Sequence, residues 1–238
     1  MNPIQLSLAV RVRDDATLAN FYPGANAAAL GYVERMCALD DNWVESFIWL
    51  WGGRASGRSH LLQAACLETQ EQGGTSLYLP MADCKDYGPE ILDGVEACTL
   101  LALDDIEQVL GKSEWDEALF HAFNRLRDAG GKLLVSAVGS PRELQGMLPD
   151  LQSRFNLALI FHLHGLSDEE KLRALQLRAS RRGLFLAEEV GRYLLTHYGR
   201  SMDALLDALE QLDRASRQAQ RRLTVPFVKQ ILFNDSAE

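Results

Sequence analysis

Short apolar runs alternating with helix-like stretches, a glycine-rich turn after the first run, and a change to wholly helical patterning near Gly165 predict an α/β fold. The runs are Phe47–Trp51, Ser76–Leu79, Thr99–Leu103, Lys132–Ser136 and Leu157–His162, which predicts a parallel five-stranded sheet covered by helices on both faces. A small C-terminal helical domain follows. With 238 residues and 47% hydrophobic content, the chain can bury one substantial core and a second, smaller one. Residues 1–15 lack periodicity and read as a tail; 16–163 form the α/β domain and 164–238 the helical domain. An alanine-rich helix is expected from Asn26 to Leu39 and another from Trp115 to Arg127. Ser167-Asp168-Glu169-Glu170 is a capping box opening a helix to about Arg182. Helices over Glu188–His197, Met202–Gln220 and Pro226–Leu232 complete the domain.

The glycine-rich turn carries the chemistry. An apolar strand ending at Trp51 leads through Gly52-Gly53-Arg54-Ala55-Ser56-Gly57-Arg58-Ser59 into a helix beginning His60-Leu61-Leu62. Gly52 and Gly57 allow the close approach and positive φ of an anion-cradling turn, and the new helix aims free N–H groups and its positive dipole end at phosphates. Ser59 stands where this motif places a magnesium-bound hydroxyl. Arg58 occupies the position usually held by lysine. Arginine keeps the charge but is not the compact point charge that follows a transferring γ-phosphoryl group, so nucleotide binding is expected and efficient hydrolysis is not.

Downstream, Thr99-Leu100-Leu101-Ala102-Leu103 ends in Asp104-Asp105. Beside a phosphate loop, Asp104 is expected to hold magnesium through water and Asp105 to orient an attacking water. Arg154, in Leu151-Gln152-Ser153-Arg154-Phe155, sits where a loop reaches the domain edge. It is either a transition-state arginine finger or a surface arginine paired with a nearby carboxylate. His162 and His164 have no third ligand at metal spacing, which favours a place at the edge of the core.

Lys+Arg 24 against Asp+Glu 33 gives a formal charge of −9, which opposes sequence-independent binding to nucleic acid. Arg214, Arg217 and Arg221, with Arg222 beside them, read as a solvated helix face before a basic patch. The four cysteines make no C-x-x-C pair and no zinc spacing, as expected of reduced cytoplasmic thiols. No apolar stretch approaches a membrane span and no signal sequence is apparent.

The phosphate loop, the Leu100–Asp105 strand, the Leu151–Phe155 segment and the helical lid together resemble the AAA+ ATPases, and within them the DnaA family. More narrowly they resemble its Hda branch, through Asp14-Asp15-Ala16-Thr17, Phe21-Tyr22-Pro23-Gly24, Gly57 to Leu62, Leu148 to Arg154, Leu166 to Leu172 and Gln211 to Ser216. The resemblance implies that Phe21, Tyr22, Pro23 and Gly24 help cover the nucleotide base and that Arg154 is a finger acting in trans. It implies a negative regulator of DNA replication initiation, which stimulates hydrolysis of ATP held by DnaA while hydrolysing little or none itself. Gln5-Leu6-Ser7-Leu8 resembles the peptide that docks bacterial proteins on the DNA polymerase sliding clamp, a glutamine for polar contacts and leucines for an apolar pocket. The sequence ends after the lid without the helix-turn-helix domain of DnaA, so DNA is expected to be reached mainly through the clamp. Homo-oligomers remain open.

Two positions depart from the family. Val138 stands where a polar residue is expected after the fourth strand, leaving Ser136 as the nearby polar group. The lid arginine of the family is replaced by Asp203, with Arg200 as a displaced substitute. A carboxylate 4 Å from a γ-phosphate costs about 1 to 4 kcal/mol, which predicts ADP over ATP. The competing reading is an autonomous AAA+ ATPase, a loader or remodeller that turns over its own ATP.

Overall fold

The computed structural model describes residues 16–38, 45–199 and 201–233. Five strands, β1 (Phe47–Gly52), β2 (Ser76–Pro80), β3 (Leu100–Asp104), β4 (Lys132–Ala137) and β5 (Leu159–Leu163), form one parallel sheet in the order β2-β3-β4-β1-β5. Nine α-helices are described: α1 (Ala27–Cys37), α2 (Arg58–Glu71), α3 (Met81–Cys84), α4 (Ser113–Asp128), α5 (Pro149–Phe155), α6 (Asp168–Arg181), α7 (Glu188–His197), α8 (Met202–Ala219) and α9 (Val225–Phe233).

Strand alternation sorts the core into two layers. Phe47, Trp49, Leu101, Leu103, Leu133 and Val135 point to one face, where they pack with Trp115, Leu119 and Phe123 of α4 and Leu151 and Phe155 of α5. Ile48, Leu50, Leu100, Ala102 and Leu134, the alternate positions, are equally buried on the opposite face, where α2 packs against β2, β3 and β4. The strands are therefore near-continuously apolar, as a sheet covered on both sides requires.

The chain divides into two compact units. One contains Ala25–His164 with the segment ending at Leu18; the other joins Ala19–Gly24 to the helices after Gly165. In the second unit Ser167 and Glu170 make both bonds of the capping box, and Leu175, Leu194, Leu205, Leu209 and Leu212 form its core. Gly24 belongs here: at φ +48°, a Cβ on it would lie 2.8 Å from Glu170 Oε1.

Two boundaries shift for visible reasons. Asn26 does not continue α1; its amide donates to His164 O (2.9 Å) and accepts from His164 N–H (2.8 Å). β5 begins at Leu159 because Leu157 is still in the turn closing α5, its N–H donating to Arg154 O.

Candidate functional site

The carboxyl ends of the strands gather the polar residues. Tyr78 of β2, Asp104 of β3 and Ser136 of β4 lie on neighbouring strands and point to the face covered by α2. The Tyr78 hydroxyl donates to Asp104 Oδ2 at 2.6 Å, the Ser136 hydroxyl donates to Asp104 Oδ1, and Gln63 of α2 donates to the Tyr78 oxygen at 3.2 Å. Asp104 is 4% exposed and Ser136 fully buried, so these bonds replace the water a buried carboxylate needs. Burial, and then the charge of Asp104, pushes the Tyr78 hydroxyl well above its ordinary range and keeps it a neutral donor.

Beyond β3 the backbone turns sharply. Asp105 adopts φ 52°, ψ 53°, left-handed for a residue other than glycine, and its N–H donates to Ser136 Oγ at 2.9 Å. Ser136 therefore holds both acids, accepting from the backbone of one and donating to the side chain of the other. The Asp105 carboxylate is brought against the phosphate loop, with Oδ1 3.0 Å from Nη2 of Arg58. This is an ion contact without hydrogen-bond alignment: Asp105 Oδ1 and Arg58 Nη1 are both buried and without a hydrogen-bond partner. Burial, followed by the charge of Asp104, raises the Asp105 carboxyl despite the opposing Arg58. Glu107 is near the same charges; burial raises it too, and Oε2 accepts the N–H of Val138 at 3.3 Å.

The loop is built as an anion cradle. A Cβ on Gly52 would lie 2.4 Å from Leu163 O and 3.0 Å from Ser56 Oγ, so only glycine fits where β1 runs beside β5. Ala55 (φ 61°) and Gly57 (φ 94°) turn the chain, while Gly53, Arg54 and Ala55 are exposed. Gly57 is the N-cap of α2 without a side-chain cap, and the first turn contains no acid. The N–H groups of its first turn therefore have no intrahelical acceptor and no side-chain cap. Ser56 Oγ is buried without a partner, and His60 Nε2 lies 2.9 Å from Thr17 O.

Arg154 lies on α5, anchored by Leu151 and Phe155, which are 0% and 1% exposed. Its guanidinium sits 5.6 Å over the Phe120 ring and makes no ion pair among the described residues. In the other unit, Tyr22 accepts a hydrogen bond from Arg173 of α6, which sets part of the expected base cover within that unit. Asp203 stands in the first turn of α8; Arg200 and Gln5, Leu6, Ser7 and Leu8 lie outside the described residues. Val138 is 53% exposed, as a position without a polar role can be. Arg214 and Arg217 pair with Glu210 and Asp213, and Arg221 lies 5.3 Å over Phe227, so three of the four arginines on this lid face have partners within it. His162 stacks on Trp51 at 3.9 Å, at the edge of the sheet. Among the described residues there is no cluster of metal-ligating side chains, and no helix is long and apolar enough to cross a membrane.

Comparison with known proteins fits this geometry. The chain matches the model of the bacterial DnaA ATPase domain over residues 90–162 and that of the Hda lid domain over residues 168–232. The chain is an Hda/DnaA-related AAA+ protein. The DnaA match contains Asp104, Asp105, Ser136 and Arg154 but begins after the phosphate loop. Domain III of the Thermotoga maritima replication initiation protein DnaA is similar in fold, with 21% identity, 93% of this chain and 97% of that one covered, and TM-score 0.71. AMPPCP-bound DnaA from Aquifex aeolicus is similar at 25% identity, 88% and 71% coverage and TM-score 0.65. A replication initiator DnaA bound to AMPPCP and single-stranded DNA matches at 23% identity, 89% and 70% coverage and TM-score 0.67. The sheet and helical lid are thus those of the AAA+ DnaA fold.

Sequence reading missed Tyr78 and the inward role of Ser136, which hold the acids at the end of β3, and Glu107 beside them. Only the strand alternation that puts Tyr78, Asp104 and Ser136 on one face could have suggested them, and then only with the sheet order known.

Proposed function

We propose that this protein is a negative regulator of replication initiation that, nucleotide-bound and tethered to the sliding clamp, stimulates hydrolysis of ATP held by DnaA through Arg154. The observation that carries the reading is the contrast between two arginines. Arg58, in the chain's own loop, is already engaged by Asp105, whereas Arg154 is anchored by a buried helix and has no carboxylate partner among the described residues. A planar cation held without a counter-ion is what a site needs to lend charge to a neighbour's phosphates. The match to the Hda lid and the DnaA ATPase domain supplies the family context, and two similar DnaA structures hold AMPPCP.

The chain's own site fits a nucleotide. Gly52 and Gly57 leave the space, the uncapped start of α2 offers N–H groups, and the buried Nη1 of Arg58 waits for an oxygen. Gly53 to Ser56 and the backbone of Ser59 and His60 complete the wall around the phosphates. Magnesium, a hard cation, would take the Ser59 hydroxyl directly and Asp104 through water, since each Asp104 oxygen accepts one hydrogen bond and retains a lone pair. It would supply charge neutralisation between phosphate oxygens. The diphosphate is preferred, and turnover by the isolated chain is weak or absent.

The test is hydrolysis of DnaA-bound ATP on clamp-loaded DNA, with and without this protein. Acceleration only when the protein is present, with little turnover by the protein alone, is the expected result. Brisk ATP turnover by the isolated chain and no effect on DnaA would refute the reading in favour of an autonomous ATPase.

A further inference from the structure

From the loop geometry we infer that Asp105 is a built-in counter-anion of Arg58 that sets the site's preference for diphosphate over triphosphate, rather than the acid that orients an attacking water. The inference rests on the nucleotide-binding reading above and assigns its selectivity to one residue. Three observations lead to it. The start of α2 concentrates positive charge: N–H groups without a cap, no acid in the first turn, and Arg58 as the first helical residue. Left alone, that charge would be uncompensated, because the Arg58 side chain is 10% exposed and has little water to draw on. Asp105 is delivered to it by a fixed backbone: the left-handed turn and the bond from its N–H to the buried Ser136 hold the carboxylate 3.0 Å from Nη2.

The division of the guanidinium is the decisive point. Nη2 faces Asp105, and Nη1 is buried without a hydrogen-bond partner. A ligand oxygen can take Nη1 while the carboxylate keeps Nη2, so an anion of modest length is accepted at no loss of the internal pair. An additional phosphate would call on both nitrogens, as arginine ordinarily offers them in a fork, and would have to displace Asp105 or lie beside it. Glu107, near Asp105 and Arg58, adds a further negative charge on that side. An acid already paired with the loop arginine is also poorly placed to draw a proton from water.

The experiment is calorimetry of the full chain with magnesium, ADP and ATP, for the natural protein, Asp105→Asn and Glu107→Gln. Asparagine tolerates the left-handed conformation and keeps the shape, so folding is expected to persist, and a thermal melt checks it. Asp105→Asn should tighten ATP by about fivefold, the upper end for a partly exposed ion pair, and ADP by about twofold or less, without gaining turnover. Glu107→Gln, which leaves the Arg58 contact in place, should change the ADP-to-ATP ratio by less than about twofold. An unchanged ratio in Asp105→Asn overturns the inference. So does a fall in turnover at unchanged affinity, which would restore the water-orienting role, or an effect of Glu107→Gln as large as that of Asp105→Asn. If the natural protein binds neither nucleotide, it is the nucleotide-binding reading itself that fails. Should Asp105→Asn melt before titration, Arg58→Lys decides: a single ammonium cannot be shared as a fork, so the preference for ADP should shrink, and its persistence overturns the assignment.

Discussion

Ser136→Ala tests whether the two acids are held as a unit. The substitution removes a donor to the buried Asp104 carboxylate and the acceptor of the Asp105 N–H, both at a residue with 0% exposure. A hydrogen bond to a charged group is worth about 1.5 to 3 kcal/mol, and a buried N–H left unmade costs about 1 to 3 kcal/mol; partial relaxation brings the sum to roughly 3 kcal/mol. For a chain of this size that corresponds to a fall of about 6 to 12 °C in the melting temperature. Urea unfolding followed through the fluorescence of Trp49, buried in the same unit, measures the loss directly. Tyr78→Phe, which removes the 2.6 Å donor at the other oxygen, should cost about 2 kcal/mol. Because both changes act on one carboxylate, the double variant should depart from additivity by more than about 0.5 kcal/mol. A loss below about 1 kcal/mol for Ser136→Ala, with an additive double variant, would mean that Asp104 is hydrated and that the network does not position it.

Other outcomes follow from the site and from the proposed function. Arg154→Ala should leave melting temperature and nucleotide affinity in place while lowering stimulation of DnaA by ~10³ to 10⁵; a variant that unfolds, or that still stimulates, would make Arg154 structural. Gly52→Ala would put a methyl 2.4 Å from the Leu163 carbonyl, a backbone atom that cannot swing away. It should cost roughly 1 to 3 kcal/mol and abolish nucleotide binding; a variant with native affinity in calorimetry would show that the loop is not the site. If Leu6 and Leu8 seat in the clamp as proposed, changing Gln5, Leu6 and Leu8 to alanine would remove about 3 to 6 kcal/mol of apolar burial and should end co-elution with the clamp on size-exclusion chromatography; retention of the complex would place the contact elsewhere.

How much of this was legible in the sequence depends on the range of the interactions. The phosphate loop and the capping box were readable because their residues are neighbours and their geometry follows from glycine and from side chains that reach three residues back. Both acids at the end of β3 were visible as residues but not as roles, because their partners come from elsewhere: Tyr78 from β2, Ser136 from β4 and Arg58 from α2. Nothing local marks Ser136 as different from any serine ending a strand, and the order of the strands is what aims it at Asp104. The short α3 has too few residues for a helical period to register. Arg154 could be placed in sequence, yet whether it had a counter-ion was a question about its neighbours in space.

The place of β1 in the sheet has a kinetic consequence. Its hydrogen-bonded neighbours are β4 and β5, both far downstream, while β2, the next strand in sequence, lies at the opposite side of the sheet. Such a strand cannot pair as it is synthesised; it waits for about a hundred residues, and closing loops of that length before any reward slows folding. The segment that carries the anion cradle is therefore among the last to gain its final backbone geometry, whereas α2 and α4, which lie between β1 and β4 in the chain, can form their own turns from local contacts as soon as they emerge. A nascent chain would acquire ligand affinity only after residue 163 had left the ribosome, so nucleotide in the medium should speed late consolidation of the sheet and leave early helix formation untouched.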